Sequence, residues 1–408
     1  MEAFLEQDEQ FPVDNKNIKG CILPWIHLHG DIRGDYALCC FTDGAVTGEK
    51  DFRIGYEGET PLAVWNGEIM KKARKTFLAG SHPTECFVCY DQEKSGVMSH
   101  RIKMNNLYGK YSKLQNLTLE DGSVKNKPFY VDFRFGNICN FRCRMCGSDA
   151  SSSWFKERHL SYGSEKSKPI LDPWTNNEAF WDDFKEIIPF IQVMYFAGGE
   201  PLVQEGHYKA LQLLIDYGQT NVKLQYNSNL SYNKFKGIDI KELWNQFDSV
   251  ELWPSMDGFG KRAEYGRKGL DWDTFENNLI HFKDYIQTVS VVSNIYSITS
   301  IPDLITLLKK YNLSFHVTNL TSPSYLSTTV LPKEAKKDIL LIYQKFLKKT
   351  MLTNHENENL RGVISYMVKN EHSHMLTSFK KFNEAVDKSR EESFITIFPE
   401  FAEWYRNI

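Results

Sequence analysis

The chain has no apolar run that approaches the roughly 18 residues of a membrane-spanning helix. Its first residues, MEAFLEQDEQ, are acidic and lack the apolar core of a signal peptide. Lysine and arginine (49 together) nearly balance aspartate and glutamate (52), which leaves a net charge of −3. This charge provides no basic surface for nucleic acid or for a membrane. We therefore expect a cytoplasmic protein that binds neither nucleic acid nor a membrane.

Cysteine is also scarce, with 8 residues among 408, and none follows position 146. In the cytosol, clustered cysteines bind metal more often than they form disulfides. The cysteines fall into a dense group, Cys139, Cys143 and Cys146, and a scattered group, Cys21, Cys39, Cys40, Cys86 and Cys89. We expect the two groups to do different things.

The chain has no repeat of fixed period and no low-complexity tract, and its texture changes near residue 126. Residues 1–125 are rich in turns and contain the scattered cysteines. One helix is predicted there in WNGEIMKKARKTFLAG, with Ile69, Ala73 and Phe77 on one face and Gly80 as its C-cap. A helical tail is predicted from Leu331 onwards. The chain is therefore expected to divide into domains at 1–125, 126–330 and 331–408.

The middle of the chain alternates between two kinds of segment. Six runs rich in β-branched and aromatic residues predict strands, at 129–135, 193–198, 223–229, 249–257, 288–297 and 313–320. Most intervals between them, such as EGHYKALQLLIDYG, are compatible with helices. Strands that alternate with helices predict a parallel α/β array.

The dense cysteine group lies just after the first predicted strand, at the edge where active sites of barrel-like parallel folds gather. Its spacing is C-x3-C-x2-C, at Cys139, Cys143 and Cys146. A structural zinc site takes four ligands, and a [4Fe–4S] cluster takes one for each iron. Three thiolates therefore leave one iron open to a ligand that is not protein.

This spacing resembles the signature of radical S-adenosylmethionine enzymes, which have a partial (β/α)6 TIM-like barrel. The resemblance implies a [4Fe–4S] cluster whose open iron binds S-adenosylmethionine. It also implies reductive cleavage of that molecule to a 5′-deoxyadenosyl radical, which abstracts hydrogen from a substrate. A reductant such as flavodoxin or ferredoxin would supply the electron. The protein orients the reactants, and the cofactor supplies the reactivity.

A second stretch, FAGGEPL at 196–202, resembles the GGE motif of the same family. Gly198 and Gly199 would let the backbone approach the ligand closely, and Glu200 would offer a carboxylate to its ammonium group. The alternative is a Gly-Gly turn before a helix. In PSMDG, Ser255 and Asp257 share one side of a strand, and the resemblance implies ribose or carboxylate contacts there.

The alternative for Asp257 is an Asp-Gly turn. Asn227 and Asn229 after the third strand are similar candidates, and Asn294 on the fifth strand is a candidate for the adenine pocket.

Other residues depart from the family pattern or leave their role open. Met145 stands where the family usually has an aromatic residue before the final cysteine, and its thioether can pack against adenine. Arg142 and Arg144 are expected to be solvated or paired, with an effect on the cluster potential as the alternative. Tyr265 and Arg267 would bind a carboxylate or cover the barrel.

The scattered cysteines supply four thiolates from distant segments, Cys21, Cys39, Cys86 and Cys89, which suits zinc or an iron–sulfur cluster. Cys21-x12-Gly34-x4-Cys39 resembles the opening of the SPASM/Twitch auxiliary-cluster domains, which implies a second [4Fe–4S] cluster. In the family that domain usually follows the barrel, whereas here it precedes it. The spacing favours Cys39 over Cys40. His27 and His29 would be ligands or, as we expect, packed or solvated side chains.

The substrate is the least determined feature. Relatives with such domains act on peptides, protein side chains, aminocyclitols and nucleotide-derived molecules. The resemblance favours a peptide or protein side chain that is oxidised, cross-linked or epimerised. The alternatives are a dehydrogenase or transferase acting on a small molecule, and, in another class, a non-catalytic iron–sulfur or zinc protein that transfers electrons.

Overall fold

The computed structural model describes residues 18–43, 53–55, 59–94, 98–160 and 169–408. The chain divides into two units, Met1–Phe133 with Asn176–Met194, and Arg134–Thr175 with Tyr195–Ile408. Compactness alone does not identify a functional domain, so the predicted boundaries at residues 125 and 330 stay predictions.

In the first unit, short strands pair around a parallel core. Its strands are β1 His27–Gly30, β2 Tyr36–Ala37, β3 Arg53–Gly55 and β4 Tyr130–Phe133. Its helices are α1 Cys40–Asp43, α2 Pro61–Trp65, α3 Glu68–Leu78, α4 Phe87–Lys94, α5 His100–Tyr108 and α6 Glu178–Ile187. Strand β1 pairs in parallel with β4 and antiparallel with β2, which in turn pairs antiparallel with β3.

Helix α3 confirms the predicted helix and corrects its buried face. Met70, Ala73 and Phe77 are buried, whereas Ile69 is 38% exposed. The buried residues follow the spacing of three and four that brings side chains onto one helix face, which the choice of Ile69 also satisfied. Gly80 has φ +80° just after the helix, as its predicted capping role requires.

In the second unit, longer parallel strands alternate with helices. Strand β6 Val193–Phe196 passes from the first unit into the second, and the strands that lie wholly in the second are β5 Arg142–Cys143, β7 Lys223–Ser228, β8 Lys234–Phe235, β9 Ile238–Asp239, β10 Ser249–Pro254, β11 Arg267–Lys268, β12 Val289–Ser293 and β13 Phe315–Asn319. Its helices are α7 Glu205–Asp216, α8 Ile240–Trp244, α9 Gly260–Gly266, α10 Trp272–His281, α11 Ile301–Lys310, α12 Lys333–Lys349, α13 Asn354–Lys369, α14 Leu376–Arg390, α15 Phe394–Ile397 and α16 Ala402–Asn407.

The second unit has two parallel strand pairs, β7 with β10 and β12 with β13. Along β7 and β10, half-buried and buried residues alternate, so each strand has two distinct faces. On the buried face, the ring of Tyr226 lies 4.9 Å from that of Trp244 in α8. The other face carries Gln225, Asn227 and Glu251, which are half-buried, and Gln225 Nε2 donates to Glu251 Oε2 at 2.7 Å.

Each of the six predicted runs contains an observed strand, namely β4, β6, β7, β10, β12 and β13. The helical tail is confirmed as well, since α12–α16 follow residue 331. The fold is a mixed α/β structure with parallel strands. The partial barrel and the auxiliary-cluster domain stay predictions. In the described ranges, no helix combines the length and the apolarity needed to cross a membrane.

Candidate functional site

The loop that contains Cys139, Cys143 and Cys146 is held by short-range hydrogen bonds and by one strand pairing. Cys143 lies on β5, which pairs antiparallel with β11, so that Arg267 is opposite Cys143. The backbone N–H of Cys146 donates to the carbonyl of Cys143 at 2.9 Å, and that of Cys139 donates to Ser152 Oγ at 3.3 Å. The loop thus presents three thiols beside a cationic side chain.

The thiols of this loop perturb one another electrostatically. Burial, together with the nearby charges of Cys143 and Glu200, raises the pKa of Cys139 to about 12. A hydrogen bond between Cys143 and Cys146 lowers the pKa of the first and raises that of the second. Three thiolates in one loop need a compensating positive charge, which the irons of a bound iron–sulfur cluster would supply.

The glycine turn at 198–199 packs directly against the start of the cysteine loop. The backbone N–H of Glu200 donates to the carbonyl of Ile138 at 2.8 Å. The Gln204 amide donates to the carbonyls of Gly198 at 2.7 Å and Ile138 at 3.2 Å. A Cβ on Gly199 would lie 2.4 Å from the Ile138 carbonyl oxygen, so glycine is required for this close approach. Sequence reasoning missed Gln204, because a lone glutamine carries no signal.

The Glu200 carboxylate is buried and joins the turn to the end of β7. It accepts hydrogen bonds from Ser228 Oγ at 2.8 Å, from the Asn229 backbone N–H at 2.6 Å and from the Leu202 backbone N–H at 3.1 Å. Burial raises its pKa to about 7, although these hydrogen bonds oppose the shift. An ionised carboxylate has about four acceptor sites, so three donors leave about one of them unused.

Asp257 pairs with a residue of the chain itself. Its carboxylate accepts from Arg267 Nε at 2.9 Å and from the Val292 backbone N–H at 2.9 Å. Ser255 lies next to Ser290 in an isolated parallel bridge. The structure thus joins the ends of β10 and β12 to the arginine opposite Cys143, and it shows that the carboxylate bound by Arg267 is Asp257.

The asparagine candidates lie near the ends of β7 and β12. Asn227 is half-buried on β7, opposite Trp253 of β10. Asn294 follows β12 and is buried, and its amide nitrogen lies 4.0 Å from the sulfur of Met145. Met145, which departs from the family pattern, therefore lies beside Asn294, the residue predicted to contact adenine. Asn229 Nδ2 similarly lies 4.0 Å from Cys139 Sγ.

The two arginines of the cysteine loop are both paired. Arg142 pairs with Glu157, and Arg144 pairs with Asp387 and Glu392 in the C-terminal part of the chain. The prediction that these arginines are solvated or paired is thus confirmed, since both of them are paired. The sequence offered no signal for the partners of Arg144, which are 243 and 248 positions away.

In the first unit, four of the scattered cysteines line one cavity, and Cys39 rather than Cys40 is among them. Burial raises the pKa of Cys21 and of Cys39 to about 12 each, and it also raises the pKa of Cys86 and Cys89. The four cysteines that line the cavity are those that the sequence predicted as ligands, Cys21, Cys39, Cys86 and Cys89. Arg101 also lines it and pairs with Glu93, a contact that sequence reasoning missed.

Across the described ranges, no three His, Cys, Asp or Glu side chains meet closely enough to hold a single metal ion. Around one zinc ion, thiolates stand about 3.8 Å apart, since each Zn–S bond is about 2.3 Å. A [4Fe–4S] cluster spaces them more widely, because each thiolate binds a different iron.

The two histidines of β1 are packed side chains. His29 Nδ1 lies 2.9 Å from Asp132 Oδ2, and both side chains are buried. Burial lowers the pKa of His27 to about 3, so its ring is neutral. Neither ring lines the cysteine cavity, although His100 does. The expectation of packed rather than ligating histidines fits this placement.

No protein-family model matches the chain. Among curated proteins, it is 24% identical over 143 residues to the 7,8-dihydro-6-hydroxymethylpterin dimethyltransferase of Methanocaldococcus jannaschii. The match covers 34% of this chain and 26% of the relative. The chain therefore spans about a quarter of the length of that relative.

Among solved structures, the chain resembles Streptococcus suis SuiB bound to S-adenosylmethionine, with 14% identity, a TM-score of 0.35, and coverage of 68% of this chain and 60% of that one. It also resembles SuiB bound to precursor peptide SuiA, with 12% identity, a TM-score of 0.34, and coverage of 88% and 60%. A third resemblance is to TYW1 with a lysine-pyruvate adduct bound, with 12% identity, a TM-score of 0.32, and coverage of 54% and 74%. Likeness at this level identifies neither fold nor function.

Proposed function

We propose that this chain is a radical S-adenosylmethionine enzyme. One observation carries the proposal: the cysteine loop and the glycine turn, which the family resemblance named separately, are bonded to each other. Their junction consists of the hydrogen bond from Glu200 to Ile138 and the clamp formed by Gln204. A cluster ligand loop and a turn for an amino-acid ligand need to be neighbours only if the ligand binds at the cluster.

The residues present fit a [4Fe–4S] cluster with one open iron. Cys139, Cys143 and Cys146 would bind three irons, and Arg267 would lie beside the anionic cluster. The cluster, when bound, supplies the electron that cleaves S-adenosylmethionine to methionine and a 5′-deoxyadenosyl radical. The residues that would hold the nucleotide and its methionine moiety are Gly198, Gly199, Glu200, Asn227, Ser255 and Asn294, and Asp257 would support them by orienting Arg267.

These residues differ in whether their polar groups already form hydrogen bonds within the chain. Glu200 keeps an acceptor site for the ligand's ammonium group. Asp257 is engaged by Arg267, so we assign it mainly to orienting that guanidinium, and we leave ribose contact to Ser255 and Asn227. Asn294 and Met145 together would contact the adenine.

For the substrate, we propose a peptide or protein side chain that loses a hydrogen atom on the way to oxidation, cross-linking or epimerisation. The curated relative is a dimethyltransferase by name, which favours group transfer to a small molecule as the second candidate. The mass change of the product separates the two, because a transferred group adds mass whereas oxidation removes hydrogen.

We further propose that Cys21, Cys39, Cys86 and Cys89 bind a second [4Fe–4S] cluster in a Twitch-like domain. Their placement around one cavity supports this. Such a cluster could relay electrons from a reductant such as flavodoxin or ferredoxin, accept an electron from the substrate, or hold the domain together. This activity would take place in the cytoplasm.

The deciding experiment is anaerobic reconstitution with iron and sulfide, reduction with dithionite and addition of S-adenosylmethionine. We expect release of 5′-deoxyadenosine and its loss in Cys143→Ala, while Cys40→Ala, the matched control, retains it. A protein that only transfers electrons would release none. Failure of the reconstituted wild-type chain to release 5′-deoxyadenosine would overturn the proposal.

A further inference from the structure

Arg144 lies between Cys143 and Cys146, and its side chain is fully buried. Arginine is rarely buried to this extent unless it is paired. Arg144 Nη2 donates to Asp387 Oδ1 and to Glu392 Oε2, each at 2.6 Å. Its Nη1 donates to Asn383 Oδ1 at 3.0 Å, and its guanidinium carbon lies 3.7 Å from the centre of the Tyr265 ring. A single side chain thus fastens the cysteine loop to α14 and the turn after it.

The backbone around Arg144 is held by hydrogen bonds as well. Its N–H donates to the Gly266 carbonyl at 2.8 Å, and Cys143 beside it is paired with Arg267. The N–H of Cys146 in turn bonds the carbonyl of Cys143. These hydrogen bonds therefore connect the backbone of Arg144 to that of Cys143 and Cys146.

A second contact reaches the same helix from the other side of Cys143. Glu157 accepts from Arg142 at 2.8 Å and from Arg390, the last residue of α14, at 2.9 Å. Arg390 in turn lies 4.5 Å above the ring of Trp154, whose indole N–H donates to the Cys143 carbonyl at 2.9 Å. Both residues that flank Cys143 are thus tied to α14.

These contacts gather formal charges around Arg144, the residue that directly follows Cys143. Asp387 and Glu392 are negative, Arg144 is positive, and Lys268 pairs with the other oxygen of Glu392 at 2.8 Å. The potential of an iron–sulfur cluster depends on the charge and the hydrogen bonds around it. Nearby positive charge favours the reduced cluster, and nearby negative charge disfavours it.

We propose that α14 belongs to the cluster site: Arg144 positions the thiolates of Cys143 and Cys146, and the charge group formed by Arg144, Asp387 and Glu392 sets how readily the cluster takes an electron. The inference rests on the proposed function and deepens it. Arg144, Asp387 and Glu392 are positioning residues, because they act through the ligand loop.

The test compares variants that remove opposite charges. Arg144→Gln removes the positive charge, whereas Asp387→Asn and Glu392→Gln each remove a negative charge at nearly constant shape. Arg262→Gln is the matched control. Arg262 also pairs with a C-terminal carboxylate, that of Glu400 at 2.8 Å, but it does not belong to the cysteine loop.

The first measurement is the midpoint potential of the cluster whose electron paramagnetic resonance signal changes when S-adenosylmethionine is added. We expect Arg144→Gln to lower the midpoint potential by about 59 mV, which for one electron lowers the ratio of reduced to oxidised cluster about tenfold at a fixed potential. Asp387→Asn and Glu392→Gln should shift the potential upwards, and Arg262→Gln should leave it unchanged. Shifts of one common sign, or none, would overturn the role of the charges.

The second measurement is hydrogen exchange in the apo chain, which does not depend on the cluster. We expect the amides of Arg144 and Cys146 to exchange at least tenfold faster in Arg144→Gln and unchanged in Arg262→Gln. Unchanged exchange in Arg144→Gln would refute the positioning role. If Arg144→Gln does not fold, Arg144→Lys replaces it: we expect faster exchange with a potential near that of the wild type. If the electron paramagnetic resonance signal of the wild-type chain does not respond to S-adenosylmethionine, the proposed function is contradicted. The exchange result still tests the positioning role in that case.

Discussion

Substituting Gly199 by alanine tests whether the glycine turn and the cysteine loop form one site. Gly199 has φ +50°, in the left-handed region that side chains disfavour. An added Cβ would lie 2.4 Å from the Ile138 carbonyl oxygen and 2.8 Å from the Asn137 carbonyl carbon. Both are backbone atoms, and Ile138 immediately precedes Cys139. Alanine at this position therefore has to push the cysteine loop away.

Two separate costs contribute to the expected loss of stability. The left-handed backbone costs a residue with a Cβ about 1–2 kcal/mol. Overpacking against fixed atoms costs about 1–3 kcal/mol more. We expect a total of about 2–5 kcal/mol. Gly218→Ala is the matched control: its φ is +67°, and no described atom lies within 4 Å of the added Cβ, so only the backbone cost applies.

The assay is urea unfolding of the two apo variants, followed by iron loading and cleavage of S-adenosylmethionine. Gly199→Ala should lose about 1–3 kcal/mol more stability than Gly218→Ala, and it should cleave S-adenosylmethionine poorly. Gly218→Ala should cleave it normally. Equal stability losses together with normal cleavage in Gly199→Ala would refute the argument that the turn and the loop are in contact.

Other predictions address the cysteines and the buried carboxylate. Cys86→Ala should still cleave S-adenosylmethionine but lose turnover of the true substrate; normal turnover would limit the second cluster to a structural role at most. Analysis of the reconstituted chain should find about eight irons and matching sulfide, whereas about four irons with one zinc would assign zinc to the scattered cysteines. Because burial raises the pKa of Glu200 from 4.5 to about 7, the folded apo chain retains a proton between these pH values that the unfolded chain releases. Its stability should therefore fall as pH rises through this window, and Glu200→Gln should remove that part of the dependence in pH-dependent unfolding; an unchanged slope would contradict the raised pKa.

The sequence was sufficient for six of the strands, for the helix α3 and for the helical tail. β-Branched and aromatic runs bounded by turn residues located β4, β6, β7, β10, β12 and β13, because strand preference and burial are written in consecutive residues. The same local reasoning found α3 but placed Ile69 on its buried face instead of Met70. Adjacent residues differ by only 100° around a helix, so periodicity allows such an error when both are apolar.

The sequence also located the candidate ligands, since C-x3-C-x2-C and GGE each lie within a few residues. It named Glu200, Asp257 and Arg267 but not their partners. The fold alone bonds Glu200 to Ser228 and Asn229, and Asp257 to Arg267. Each of these pairs joins the ends of different strands, which neither spacing nor composition records.

By itself the sequence determined six strands, the helix α3 and the helical tail, and it named the short motifs proposed to carry metal-binding and ligand-binding groups. Only the tertiary structure decided that the glycine turn touches the cysteine loop, and that Arg144 reaches Asp387 across 243 positions. The physical reason is range. Backbone preferences and periodicity act between near neighbours in the chain, whereas a buried ion pair forms only where packing has already brought distant segments together and excluded water from between them.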